Sequence, residues 1–224
     1  MTSFVFLYSI VSIFVVPPLA KLNNRVPMPV SDNKNLKPLN KLTCFLNRHY
    51  VDVELHELMI HLSKEIHFEY EKTQINYLDA NFPFFNFPLL PHLSHNDGRK
   101  LDIALFYLDA KTGKACSDVP SIIGYGVYED PKSNEVNTSK YCLEKGYWQY
   151  SFSSKLVNQS NKSNFIFDNQ RNQFALNLLS KHPSVEKVFI EPHLKLRLNL
   201  KSNKIKFHGC HSVRHDDHIH IQIK

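Results

Sequence analysis

The stretch "VRHDDHIHIQI" near the end of this 224-residue chain gathers His215, Asp216, Asp217, His218 and His220 within six positions, then continues as alternating isoleucines. In a β-strand alternate side chains share a face, so His218 and His220 would project together while Ile219, Ile221 and Ile223 enter a core. Two imidazoles on one strand face are a poor way to build a core. They are a good way to hold a metal, because zinc takes neutral imidazole nitrogen and a catalytic site combines three protein ligands with one open position. The alternative is a His-rich strand on the surface. A third ligand must come from elsewhere, and "PHLSHNDGRKLDIALFYLD" offers His95 ahead of a Gly-containing loop and Asp102 between Leu101 and Ile103. A carboxylate among apolar strand neighbours needs a metal or a cation to compensate it. Pairing of Asp102 with Arg99 or Lys100, with His95 a plain loop residue, is the competing explanation.

Periodicity predicts the elements that must position these residues. "VELHELMIHLSKEIHFEYEK" puts Leu55, Leu58, Met59, Leu62 and Ile66 on one helical face, leaving His56, His61 and His67 at its surface or boundary. "INYLDANFPFF" and "LDIALFYLDA" read as strands, the second bounded by the turn signal "KTG". A second helix starts at Asp168, a good N-cap, carries Phe174, Ala175, Leu178 and Leu179, and stops before Pro183. "VEKVFIEP" follows as a short buried strand, then "IKFHG", and finally "HIHIQIK". Strands and helices do not alternate regularly and no Gly-rich phosphate loop is present, which favours an α+β domain over a doubly wound one.

The formal net charge of +6 comes from scattered lysines, without an RNP-like, zinc-finger or helix-turn-helix pattern. A solvated basic surface is the expectation, with no nucleic-acid partner, and it would suit a substrate carrying carboxylates. Residues 1–20 hold an uncharged run from Thr2 to Ala20 that reads as a signal peptide or a retained membrane anchor, with a buried core helix as the third reading. No basic residue precedes the run, and "PLA" before Lys21 is a poor cleavage match. Residues 21–41 read as a flexible polar linker and 42–224 as one globular domain. Cys44, Cys116, Cys142 and Cys210 form no CxxC pair, so in an oxidising compartment they would make disulfides, with Cys116 and Cys142 the expected pair; unpaired thiols are the alternative. Three Asn-x-Ser/Thr sites, at Asn137, Asn158 and Asn161, are explained by chance in an Asn-rich chain.

His95-Asn-Asp-Gly98-Arg-Lys-Leu-Asp102 resembles the His-x6-Asp motif of the LAS group of zinc peptidases, which takes in lysostaphin-type and D-Ala-D-Ala peptidases and the hedgehog signalling domain. The ending is similar to the His-x-x-His-x-His of penicillin-insensitive murein endopeptidases, found here as His215, His218 and His220. "FDNQRNQFALNLLSKHPSVEKVFIEPHLKLRL" is similar to the segment that precedes that motif in the same family. The likeness covers residues 91–224, with little to compare between 111 and 162.

The resemblance implies a LAS/hedgehog-like core, a small antiparallel sheet with flanking helices. It implies that His95, Asp102 and His220 bind Zn2+, and that His218 and His215 are catalytic beside it. Asp217 stands where the related carboxypeptidase and dipeptidase branch keeps a catalytic glutamate, so it is a candidate general base, or else it orients a neighbour or makes a turn. Glu191 and His193 read as cleft, cap or turn residues, and Arg214 as a substrate-carboxylate binder or a structural ion pair. His92, Ser94, Asp97 and Arg99 border the first motif. The implied activity is zinc-dependent hydrolysis of amide bonds involving D-amino acids in peptidoglycan, as a murein D,D-endopeptidase cutting D-alanyl to diaminopimelyl cross-links. The alternatives are a D,D- or L,D-carboxypeptidase trimming stem peptides and a non-catalytic zinc-stabilised binding module. The implied partners are peptidoglycan peptides, with membrane anchoring through the N-terminal segment as a further expectation, and the implied location is the periplasm or cell envelope.

Overall fold

A computed structural model describes residues 2–90 and 93–224; His92 lies outside them. Six strands form the central sheet: β1 (Leu36–Pro38), β2 (Ile75–Tyr77), β3 (Lys100–Ala104), β4 (Val185–Phe189), β5 (Ile205–Lys206) and β6 (His218–Ile223). Their order is β5-β4-β6-β3-β2-β1. The inner pairs β4/β6, β6/β3 and β3/β2 are antiparallel, whereas β5/β4 and β2/β1 are parallel. The chain is mixed in the α+β sense, and its sheet is larger than the small antiparallel one expected, because a parallel strand is added at each edge.

Period-two alternation in β6 sends Ile219, Ile221 and Ile223 to one face, where they are fully buried with Leu101 and Ile103 of β3. Helices α1 (Val53–Glu69) and α2 (Asn169–Lys181) supply the rest of this core. Leu55, Leu58, Met59, Leu62 and Ile66 of α1 are all buried, as are Ala175, Leu176 and Leu179 of α2. Asp52 and Asp168 cap the two helices, accepting the backbone N–H groups of Glu54 and of Gln170 and Arg171. The opposite face of the sheet is left to Asp102, His218 and His220.

The predicted strand "LDIALFYLDA" breaks after Ala104, and Tyr107–Asp109 joins a separate three-stranded sheet with Ala115–Cys116 and Phe165–Phe167. The buried Asn172 amide satisfies the break: it accepts from Phe106 N at 3.0 Å and donates to Phe106 O at 2.8 Å.

Residues 21–41 are not a flexible linker. Arg25–Pro27 pairs with Tyr50–Asp52, β1 lies in the central sheet, and Met28 and Leu36 are in the core. Burial of those apolar side chains outweighs the polar composition of the segment. Arg25, 4% exposed, donates to the carbonyls of Phe82, Phe85 and Asn96 and to Asn86 Oδ1, so this segment fastens the loop that carries His95.

Thr2–Lys21 is one 20-residue helix, mostly exposed and apolar enough to cross a membrane by length and composition. A stripe at four-residue spacing meets the folded body. Tyr8 donates to Phe45 O, Ser12 accepts from Asn47, and Val16 and Ala20 are buried with Tyr50. Cys142 is bonded to Cys210, not to Cys116, with a Cα–Cα distance of 5.3 Å. Strand pairing with Tyr107–Asp109 holds Cys116 elsewhere, with its thiol donating to Tyr107 O. The bridge instead ties helix Thr138–Glu144 to the loop leading into His215. An apolar N-terminal helix and a disulfide are both features of exported chains.

Candidate metal centre

Strand register brings two of the three expected ligands together: in the β6/β3 pair His220 stands directly opposite Asp102. Residues opposed in this way have Cβ atoms about 4.5–5.5 Å apart on the same face. His220 Nδ1 lies 2.8 Å from Asp102 Oδ1. The third, His95, arrives from the loop before β3, its Nε2 3.2 Å from His220 Nδ1 and 3.3 Å from Asp102 Oδ1. All three residues are buried.

His95 Nδ1 is 2.7 Å from Ala80 O, and a carbonyl only accepts, so this nitrogen carries the proton and Nε2 presents its lone pair to the cluster. For a tetrahedral ion with bonds of about 2.0–2.1 Å, ligand atoms should be separated by about 3.3–3.4 Å. Two edges of the triangle, at 3.2 and 3.3 Å, have that length, and the third, at 2.8 Å, needs to open by about half an ångström. His95, Asp102 and His220 therefore fit a metal ion without rearrangement of the strands. Among the described residues no ion pair joins Asp102 to Lys100 or Arg99: Lys100 pairs with Asp97 at 2.5 Å, and Asp97 also accepts from the Arg99 backbone N, which shapes the loop.

Glycine 98 is required within that loop. Its φ is +85°, and a Cβ there would lie 2.9 Å from Arg25 Nε and 3.3 Å from Asp52 N. The close approach lets Gly98 O accept from Asp52 N at 2.7 Å, which docks the metal loop on the start of α1.

Sequence reasoning missed Tyr125, which comes from the irregular segment after Cys116. Its hydroxyl donates to Asp102 Oδ2 at 2.8 Å and accepts from Asp79 N at 3.2 Å. Burial and the charge on Asp102 push the phenol far above its ordinary range, so it stays a donor. The two carboxylate oxygens of Asp102 are thus differentiated. Oδ1 faces His95 and His220, and Oδ2 faces Tyr125 and His218. Nothing local in "SIIGYGVYED" signals this contact.

The other expected site residues gather around the cluster in distinct roles. Asp217 accepts from His218 Nδ1 at 2.5 Å with Oδ1 and from Gly126 N at 2.6 Å with Oδ2. His218 Nε2 is 3.8 Å from Asp102 Oδ2. Burial opposes a charge on His218, but Asp102 and Asp217 together outweigh it and push the imidazole up to about 9. The His215 ring sits 4.9 Å from that of His218 and 5.8 Å from that of His220. Burial, then His218 and His220, hold His215 well below the usual imidazole range. Burial, partly offset by Asp102, brings His220 down to about 4, which keeps it in the neutral form a metal needs.

Glu191 clamps the His215 backbone: its own N–H donates to His215 O at 3.0 Å, and its Oε1 accepts from His215 N at 3.1 Å and from the Tyr150 hydroxyl at 2.6 Å. It precedes the short helix Pro192–Arg197 without a side-chain cap. His193 Nε2 donates to Glu129 O at 2.8 Å. Arg214 pairs bidentately with Asp216, reaches Asp130 Oδ1 at 2.9 Å and lies 3.9 Å above the Tyr128 ring, so it is a structural ion pair.

A cavity of about 340 Å³ opens beside the cluster, with Tyr125, Asp217 and His218 in its wall. A second, of about 490 Å³, lies between the N-terminal helix and residues 27–56, away from the metal ligands. No family model matches this chain, and no curated protein matches it.

Proposed function

We propose that this chain is a zinc metallopeptidase of the LAS type, exported to the periplasm or cell envelope, that hydrolyses amide bonds involving D-amino acids in peptidoglycan and acts as a murein D,D-endopeptidase. The observation that carries the reading is the buried triangle of His95 Nε2, Asp102 Oδ1 and His220 Nδ1, two of whose edges already have the length a small tetrahedral ion needs. A donor set of two imidazoles and one carboxylate is one that catalytic zinc sites use, and it supports the choice of zinc. When bound, zinc would supply a Lewis acid that polarises the scissile carbonyl and makes water a better nucleophile.

The remaining steps belong to side chains. Asp102 is held by Tyr125, so its metal-facing oxygen is fixed. His218 lines the cavity wall with its Nδ1 held by Asp217, which makes it the group to pass a proton to the leaving amine. Asp217 acts through His218, since both of its oxygens are already engaged. His215, neutral and clamped by Glu191, packs against His218 and fixes its ring.

The endopeptidase form is preferred to a stem-trimming carboxypeptidase because of the cavity's charges. Among its described lining residues the two arginines are committed, Arg48 to Asp79 and Arg214 to Asp216 and Asp130. A terminal carboxylate would want an arginine free to bind it bidentately.

The test is cleavage of purified cross-linked muropeptides with and without chelator. The expected result is cleavage that chelation abolishes and added zinc restores. Zinc-loaded protein that leaves every cross-linked and uncross-linked muropeptide intact would overturn the enzyme reading in favour of a non-catalytic zinc-stabilised module.

A further inference from the structure

The cavity beside the metal centre is walled by apolar side chains from four separate stretches of chain: Leu42, Leu46, Ile123, Leu156, Val157 and Val213. Several are strongly exposed, Leu42 at 56%, Ile123 at 45% and Leu156 at 71%. Scattered exposed leucines need no explanation, but convergence of this many around one concavity marks a binding surface. Its volume of about 340 Å³ is at the small end of ligand pockets, which run from roughly 300 to 1,000 Å³, and suits one or two amino-acid side chains rather than a saccharide chain.

The charged groups in the wall are neutralised among themselves. Arg48 and Asp79 form a bidentate pair at 3.1 and 2.7 Å, Arg214 is held by Asp216, and Asp217 is held by His218 and Gly126. An acidic or basic substrate side chain entering here would be desolvated without an uncommitted counter-charge among the described lining residues. An apolar one would bury surface on both sides. His218 and Asp217 form part of the same wall, so whatever occupies the cavity lies against the side chain proposed to pass the proton.

We infer that this cavity is the specificity subsite for an uncharged, apolar side chain flanking the scissile amide, an inference that rests on the amide-hydrolase reading for its link to turnover. The walls are side chains of this chain alone, and they select against charge at that position.

The experiment has two arms. In the first, kcat/KM is measured on blocked peptides with a D-amino acid at the scissile bond, in which the flanking residue on either side is Leu, Ala, Asp or Lys. The expected preference for Leu over Asp and Lys is on the order of 10–100-fold on one side of the bond. Leu156→Asp should shrink that ratio several-fold. In the second arm, N-acetyl-leucinamide and N-acetyl-aspartamide are titrated into zinc-loaded protein while the methyl resonances of Ile123, Leu156 and Val213 are followed. The leucine compound should give saturable shifts at these methyls and the aspartate compound none at matched concentration. Cleavage without side-chain preference, or methyl shifts equal for the two compounds, overturns the subsite. If no peptide is cut but the leucine-selective methyl shifts are present, the hydrolase reading fails and the apolar site stands.

Discussion

If Asp217 works only by holding His218, its loss should be redundant once His218 is gone. Asp217 accepts two N–H groups, His218 Nδ1 at 2.5 Å and Gly126 N at 2.6 Å. In Asp217→Asn a single amide oxygen must serve one of them, and the new NH2 faces a donor. One hydrogen bond to a charged group is lost, worth about 1.5–3 kcal/mol. Expressed fully in the transition state, that is a fall in kcat of roughly 10- to 150-fold. His218→Ala removes the proton-transfer group itself, at a cost of ~10²–10⁴-fold. The double variant should then be no slower than His218→Ala alone, within about twofold, because residues acting as a unit are non-additive. The assay is turnover of one purified cross-linked muropeptide by the three variants, with zinc content measured in each. Losses that multiply in the double variant, or Asp217→Asn falling below His218→Ala with zinc bound, would refute the positioning role and make Asp217 the base.

Two predictions concern stability. Burial brings His49 from 6.5 down to about 4, so the folded chain resists the proton that the unfolded chain takes up below pH 6.5. Stability should therefore be intact above pH 6.5, fall as pH drops towards 4 and level off below it, by about 3 kcal/mol from this group at ~1.4 kcal/mol per unit. His49→Gln should flatten that part of the curve in urea titrations at pH 7, 5.5 and 4, and an unchanged slope would contradict the assignment. The Cys142–Cys210 bridge closes a span of 68 residues, for which the chain-entropy model gives about 4 kcal/mol. Cys210→Ser should lower the unfolding midpoint accordingly, and denatured, unreduced wild-type protein should present two free thiols, Cys44 and Cys116; four would refute the bridge.

What could be read in advance was whatever depended on local period and capping. The terminal strand, with its isoleucines on one face and its histidines together on the other, follows from alternation alone, and both helices follow from their apolar faces and Asp caps. Alternation puts His218 and His220 on one strand face and leaves Asp102 among apolar neighbours in need of a partner, whereas the gathering of His95 and Asp102 with His220 is implied by the resemblance of their motifs to zinc peptidases. What the sequence hid were contacts between distant segments. Tyr125 reaches Asp102 from an irregular loop, and Arg25 braces the metal loop from a stretch whose polar composition suggested a linker. Cys142 meets Cys210 because a helix of that same irregular region packs near the terminal loop, a proximity that cysteine spacing does not encode. The division of the Asp102 strand at Phe106 likewise depends on Asn172, 66 positions away.

The central claim is that three named side chains form a metal site, and metal stoichiometry by elemental analysis after a metal-sparing purification tests it most directly. The account predicts about one zinc per chain in the wild type, near-complete loss in His220→Ala, and retention of most of the metal in His215→Ala, whose ring lies beside the triangle rather than in it. Folded wild-type protein without stoichiometric metal, or equal loss in the two variants, would contradict it.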